Sequence, residues 1–312
     1  MEVVVVGNFV ADLIAKPITR MPEPGKLELV EQLEMHSGGC AVNTGSALGR
    51  LGVQVGVVGK IGQDVFGDFL LSQLAANHVD TGYVRRTSQV MTSMTWVMVN
   101  PAGERSFFHH IGANNLFRLE DVDPRAFQGA KIMHVAGELA MPAFDGEPTA
   151  QALKLAKEAG CFTSMDTSYD GLGRWLGALE PCFPYTDLFM PSLEEARHIT
   201  GKDTPEQIAD FLLQYPLQMV CLKLGEQGCY IRTRRSEVRV PAFQTPVLDT
   251  TGAGDSFAGG FLVGILRGWS LEVTGRFANA VGAQSVSAVG ASTGIGGYQH
   301  TLEFMDRTPT RG

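Results

Sequence analysis

An α/β fold with a mainly parallel sheet covered on both faces, joined to a small separate β-sheet, is the class this sequence predicts, and three observations carry it. Apolar strand-like runs alternate with helical patterns along most of the chain. Such alternation implies βαβ units and hence a three-layer α/β/α arrangement. Two segments break the rhythm, each with strand-like halves and no helix between them. Finally, 312 residues with 44% apolar composition supply one large core, and no interdomain linker, internal repeat or low-complexity stretch divides them, so residues 1–312 are read as a single domain.

Taken in order, residues 2–7 form a β-branched run, and further apolar runs at 54–58, 131–136, 162–166, 188–190 and 219–224 read as strands. Helical patterns fall between them at about 43–51, 65–77, 147–159, 194–200 and 205–215. Ligands are expected at the C-terminal ends of such strands. The irregular segments lie within 13–36 and 94–110: residues 13–18 with 28–36, and 94–100 with 105–110, the latter pair joined by the turn Pro101-Ala102-Gly103-Glu104.

Composition narrows the functional class. Cys40, Cys161, Cys182, Cys221 and Cys229 are odd in number and lack CxxC spacing, which argues against a disulfide framework and a zinc cluster. No run approaches the ~18 apolar residues of a membrane span, and the N-terminus lacks the layout of a signal peptide, so a cytoplasmic protein is expected. A formal net charge of −8 without a long basic run argues against nucleic acid as a partner.

The most informative stretch is Leu248-Asp249-Thr250-Thr251-Gly252-Ala253-Gly254-Asp255-Ser256-Phe257. Gly252, Ala253 and Gly254 let the backbone turn sharply and bring its N–H groups close to a bulky anion. Phe257, Phe261, Leu262, Ile265 and Leu266 then recur at helical spacing, which puts the turn at a helix N-terminus, a ready anion site. An aspartate at this junction repels phosphate unless it serves the second reactant, and deprotonating an attacking hydroxyl is such a service. The alternative is that Asp255 only caps the helix.

The string from Asp249 to Phe257 resembles the C-terminal signature of the ribokinase-like, or phosphofructokinase B, family of carbohydrate kinases. The upstream run Ser37-Gly38-Gly39-Cys40-Ala41-Val42-Asn43, with Val58-Gly59-Lys60-Ile61-Gly62 after it, resembles the family's N-terminal glycine motif. The resemblance implies a ribokinase-like fold whose small sheet is a lid over the sugar and often supplies a dimer contact. It implies that ATP is the donor, that Mg²⁺ bridges its phosphates, that residues 252–254 form the anion hole and that Asp255 is the base. On the acceptor side it implies sugar contacts from Asp12, Gly38, Gly39, Asn43 and Glu138. On the nucleotide side it implies Lys223, Gly225 and Gly228 of a strand-turn-strand motif, Thr251, and Asn279 at the adenine. Glu195 matches the family's magnesium-orienting glutamate, acting through water, although Ser192 stands where the family usually has asparagine. Asp249 and Thr251 match positions that hold a monovalent cation in several relatives; potassium is one reading and a braced loop the other.

The catalytic loop does not discriminate between acceptors. Arg105 is a candidate contact for an acidic substrate group, but no cluster of Arg and Lys marks a sugar phosphate, so a neutral sugar of the ribose or fructose kind is favoured. A nucleoside is the rival, with Phe107, Phe108 and His109 flanking a base. A catalytically weak sugar- or nucleotide-binding sensor is the reading from a different class, and Ser192 is its support.

Overall fold

The computed structural model describes residues 1–311. The chain opens with β1 (Val3–Gly7), passes into β2 (Val10–Lys16) and β3 (Gln32–Gly38), then α1 (Cys40–Arg50), β4 (Val55–Gly62), α2 (Val65–Ala76) and β5 (Asp80–Thr87). A hairpin of β6 (Met94–Val99) and β7 (Arg105–His110) leads to β8 (Ile132–Glu138), α3 (Glu147–Glu158), β9 (Phe162–Thr167), α4 (Trp175–Leu179) and β10 (Leu188–Phe189). The last third holds α5 (Leu193–Thr200), α6 (Pro205–Leu212), β11 (Met219–Lys223), β12 (Cys229–Thr233), β13 (Glu237–Val240), α7 (Ala253–Arg267), α8 (Leu271–Ser285) and α9 (Tyr298–Arg307).

Among the described residues nine strands form the main sheet in the order β13-β12-β11-β10-β9-β8-β1-β4-β5. All pairs from β11 to β5 are parallel, and only β12 and β13 run antiparallel at the far edge. From β1 the chain builds outward in both directions, to β4 on one side and β8 on the other, so the order reverses beside β1. That reversal opens a crevice at the C-terminal strand ends. Val3, Val4, Val5 and Val6 are fully buried and divide between two core clusters, Val4 and Val6 on one face and Val3 and Val5 on the other. A strand buried on both faces reads as an unbroken apolar run, which is why residues 2–7 are legible.

The expected elements appear with small shifts at their ends. The predicted strand at 188–190 pairs over Leu188–Phe189 alone. The strands β5 and β13 and the helices α4 and α9 carry no clear sequence signal; β5, for instance, includes Asp80, Arg85 and Arg86 on an edge open to solvent.

The small sheet has the order β3-β2-β6-β7. Its strands differ from the expected pairs: residues 28–30 lie outside the sheet, β2 starts at Val10, and the two hairpin-like pairs join through a parallel contact between β2 and β6. Asp12 therefore belongs to a strand of the small sheet. Gly39, the N-cap of α1, has φ 87° and sits against backbone atoms of Asn8, Phe9 and Val10. An added Cβ would lie 2.6 Å from the Asn8 oxygen and 2.7 Å from the Val10 nitrogen. We predict that Gly39→Ala destabilises the fold by about 3 kcal/mol through left-handed strain and overpacking, read as a lower urea midpoint at unchanged m-value.

Candidate active site

Helix α7 begins at Ala253 behind Gly252, whose φ of 68° makes the left-handed turn that a side chain would resist. The first N–H groups of α7 have no partner inside the helix and, with its dipole, form an anion site. Phe257, Phe261, Leu262 and Val263 bury the helix against the sheet, each contributing roughly 1.5–3 kcal/mol. The position of the loop is therefore set by the core behind it.

Asp255 lies in the first turn, beside the anion site. Asn43 of α1 donates from Nδ2 to Asp255 Oδ2 at 2.8 Å, and Thr44 Oγ1 donates to the Asp255 carbonyl at 3.2 Å. Burial raises the Asp255 carboxyl above its usual range, while Asn43 and the nearby Lys223 ammonium work against that rise. Asn43 was expected at sugar hydroxyls; its amide nitrogen instead orients the carboxylate.

The loop separates two cavities. One, of about 330 Å³, is walled by Phe243, Phe257, Val286 and Asn279 and reaches Lys223, Gly225 and Gly228 at one end. The other, of about 170 Å³, lies beneath the small sheet and is lined by Asp12, Ile14, Thr95, Val97, Arg105 and Phe107, among others. Thr250, Ala253 and Gly254 face the first cavity, whereas Asp249 and Thr251 face the second. Thr251 was expected on the nucleotide side, and the parity of the loop puts Thr250 there in its place.

Period-two geometry explains the lid lining. Asp12 and Ile14, Thr95 and Val97, and Arg105 and Phe107 alternate down their strands, so they share one face. Phe108 lies on the opposite face, its ring 6.0 Å from that of Trp96. The expectation that Phe107, Phe108 and His109 jointly flank a base therefore fails on strand geometry. Burial lifts the Asp12 carboxyl to about 6, with the Thr95 hydroxyl opposing the rise. Gly38 packs directly against the Asp12 carboxylate, and Gly39 against Asn8 to Val10, so the two glycines serve contacts within the protein.

Glu138 requires a correction. Its side chain is fully buried; Oε1 accepts from Gly146 N at 2.7 Å and Oε2 from Thr149 Oγ1 at 2.8 Å. Both oxygens brace the start of α3, and burial with the adjacent Asp145 raises the carboxyl well above its usual range. It is not among the residues lining the smaller cavity.

Lys223 ends β11 with its Nζ 2.7 and 2.6 Å from the two oxygens of Asp166, at the end of β9. Burial alone would lower the ammonium, but Asp166 and Glu195 hold it above its ordinary value. A Cβ on Gly254 would stand 3.3 Å from that Nζ, so the charge lies directly under the anion loop. Asp166 was missed in the sequence, although it stands at a C-terminal strand end where sites are expected. Asn279 spends both amide hydrogens on the carbonyls of Val240 and Pro241, at 3.0 and 3.1 Å, leaving its oxygen for the cavity. At the mouth, Arg311 reaches Glu226 at 2.9 Å, a wall from the C-terminus for which the sequence carries no signal.

Ser192 is the N-cap of α5, its Oγ accepting from Glu195 N at 3.3 Å, while Glu195 Oε2 accepts from Ser192 N at 2.9 Å and Thr167 Oγ1 at 3.2 Å. A serine serves this capping box well. Among the described residues no group of three or more His, Cys, Asp or Glu could cage a metal. The residues at the expected potassium position do not fit a cation. Asp249 Oδ1 accepts from Thr251 N at 2.9 Å and Arg105 Nη2 at 2.8 Å, and Oδ2 from Gly290 N at 3.1 Å.

A half-buried glycine turn at the start of a helix, a carboxylate beside it and a cavity on either side of the loop suit phosphoryl transfer to a small hydroxylated molecule. The chain belongs to the pfkB family of carbohydrate kinases, whose profile matches residues 1–295. It is 30% identical to ribokinase of Mus musculus over 304 residues, 93% of this chain and 90% of that one. It is 28% identical to 2-dehydro-3-deoxygluconokinase of Bacillus subtilis over 309 residues, 92% of each. Among solved structures, Arabidopsis thaliana ribokinase complexed with ribose and ATP superposes with a TM-score of 0.85 at 25% identity, covering 97% of this chain and 98% of that one. This protein is thus a carbohydrate kinase with a ribokinase-like fold. No helix among the described residues is long and apolar enough to cross a membrane.

Lys223→Met should leave Asp166 buried without its counter-ion and cost about 3–5 kcal/mol at neutral pH. A carboxyl whose folded pKa lies above its unfolded value opposes folding only while ionised, so the deficit should shrink as pH falls. Urea melts at neutral and mildly acidic pH check both statements; a deficit that grows toward acid would contradict them.

Proposed function

We propose that this kinase transfers the γ-phosphate of ATP to a hydroxyl of a small neutral sugar of the ribose or fructose kind. The observation that supports the reading is the loop of residues 249–254, which turns Asp249 and Thr251 to one cavity and Thr250, Ala253 and Gly254 to the other, immediately before Asp255. ATP occupies the larger cavity, with adenine between the apolar walls and phosphates running toward Lys223 and Gly254. The sugar lies under the lid, against Asp12. Asp255 takes the proton of the attacking hydroxyl as its oxygen bonds to the γ-phosphorus; the bond from that phosphorus to the bridging oxygen breaks and ADP leaves with the electron pair. The N–H groups at 252–254 and the Lys223 ammonium stabilise the charge on the transferred group. When present, magnesium neutralises phosphate oxygens, and Glu195 is the residue that would orient its water shell.

Two features favour a neutral monosaccharide. The acceptor cavity, at about 170 Å³, is small beside the roughly 300–1,000 Å³ of pockets for larger ligands, which disfavours a nucleoside. Its basic side chains are already engaged: Arg105 is paired with Asp249, and His36 lies 2.9 Å from Glu34. No free positive group awaits a carboxylate or phosphate. An intact base and anion loop support turnover over a sensor role.

The outward face of the lid supports a homodimer. Register aligns Met35, Leu13, Trp96 and Phe108 across the four strands, and Met35 and Phe108 are exposed. An apolar row of this kind suits a second copy.

Asp255→Asn is expected to lower kcat by about 10²–10⁴-fold while nucleotide affinity, measured by calorimetry, stays unchanged. Unaltered turnover would remove Asp255 as the base. A coupled assay with ribose, fructose, ketodeoxygluconate, adenosine, inosine and fructose 6-phosphate should give its highest kcat/KM with a neutral sugar; preference for a nucleoside or an acid would overturn the substrate class. Sedimentation should find the wild type dimeric and Phe108→Glu monomeric, and a monomeric wild type would refute the lid contact.

A further inference from the structure

Arg105 is the first residue of β7, and its guanidinium spans from the lid to the catalytic loop. Nη1 donates to Thr251 Oγ1 at 2.7 Å and Nη2 to Asp249 Oδ1 at 2.8 Å. The Asp249 side chain is only 4% exposed, so this ion pair is largely shielded on the loop side. A buried carboxylate requires a counter-charge, and here the counter-charge is carried by a covalently attached group. Burial would push the Asp249 carboxyl up, but donors from Thr251, Arg105 and Gly290 hold it well below the usual carboxylate range.

A monovalent metal ion needs oxygen lone pairs directed at it. The Asp249 oxygens instead receive N–H groups, and the Thr251 hydroxyl oxygen accepts from Arg105. A potassium ion would have to displace a planar two-pronged donor whose geometry matches its acceptors. We infer that Arg105 is a built-in cation: its guanidinium takes the electrostatic place of a potassium ion at Asp249, positions the loop of residues 249–254, and fastens the lid to it. Arg105 is thus a positioning residue acting through Asp249 and Thr251. Because the charge comes from the lid, the loop is fully braced only with the lid in contact, and sugar phosphorylation proceeds without potassium.

This inference rests on the kinase reading, and its test separates the two. Initial rates are compared in potassium chloride and in tetramethylammonium chloride at equal ionic strength, with magnesium, saturating ATP and the best neutral sugar. The wild type should turn over equally in both. Arg105→Ala should lose about 100-fold in tetramethylammonium, as a misplaced loop would, and regain much of that rate in potassium. Arg105→Lys should keep its potassium independence, because an ammonium still neutralises Asp249. Thermal melts supply a readout independent of turnover: potassium should raise the Tm of Arg105→Ala and leave the wild type unmoved. Stimulation of the wild type by potassium overturns the inference, even if Arg105→Ala does not fold. So does an Arg105→Ala deficit that potassium leaves unchanged. If no acceptor is turned over in either salt, the kinase reading fails, while the melts still decide whether Arg105 occupies a cation site.

Discussion

A half-buried carboxylate at the start of a helix has to be held and aimed, and the aim falls on the 2.8 Å hydrogen bond from Asn43 to Asp255, which with the Lys223 ammonium also favours the ionised form. The donor comes from α1, more than two hundred residues earlier in the chain, so the bond holds only if α1 and α7 keep a fixed spacing. Thr44, one residue on, ties the Asp255 carbonyl to the same helix. Further along, Gly259 passes close to Thr44 and Ala47, where an added Cβ would stand 3.1 Å from the Ala47 side chain. The N-terminal glycine motif and the C-terminal glycine loop are therefore two halves of one joint. Gly39 lets α1 start against the end of β1, and Gly252 lets α7 start beside it.

Charge is distributed around that joint with little surplus. Lys223 is paired with Asp166, Arg105 with Asp249, and Asp255 is held by a neutral amide. Pairing keeps each buried charge from carrying a full desolvation penalty before substrates bind. Within the loop, the Thr251 N–H is held by Asp249 and the Ala253 N–H bends to the Thr250 carbonyl at 3.3 Å, so on the proposed reading the donors for phosphate are the N–H groups of Gly252 and Gly254. An acidic sugar would enter a cavity whose one guanidinium is already committed, whereas a neutral sugar asks for no further charge. The electrostatic layout and the small acceptor volume thus point to the same class of acceptor by independent routes.

How much was legible in the sequence depends on whether a feature is dictated by local backbone. The loop before α7, the run of residues 2–7 and the helices α1, α2, α3, α5 and α6 follow from short-range rules, and they stand where expected. Assignments that depend on how a side chain meets a distant element fared worse. Glu138 stands at a strand end, as a site residue should, but the N-terminus of α3 claims both its oxygens. Thr250 and Thr251 differ by one residue and face opposite cavities, a parity set by the turn at Gly252. Arg105 meets a partner 144 residues away. Ser192 reads in sequence as a defect of a motif, and the structure makes it a sound helix cap. Edge strands such as β5 escape notice because a strand open to solvent loses the apolar pattern that marks buried ones.

The division of labour between loop and lid has a consequence for specificity. On the proposed reading, loop 249–255 must satisfy the phosphate, the base and the bracing of Asp249 together, which leaves it little freedom to vary with the acceptor. The lid face is less constrained. Of its inward side chains, Arg105 is fixed by the loop and Asp12 offers a carboxylate to any polyol, while Ile14, Val97 and Phe107 are apolar and stand on strands apart from the base. They set the height and outline of the cavity without taking part in proton transfer. If the proposed acceptor site is right, acceptor choice is a matter of shape imposed by three apolar side chains, on a floor whose chemistry is common to every sugar that fits.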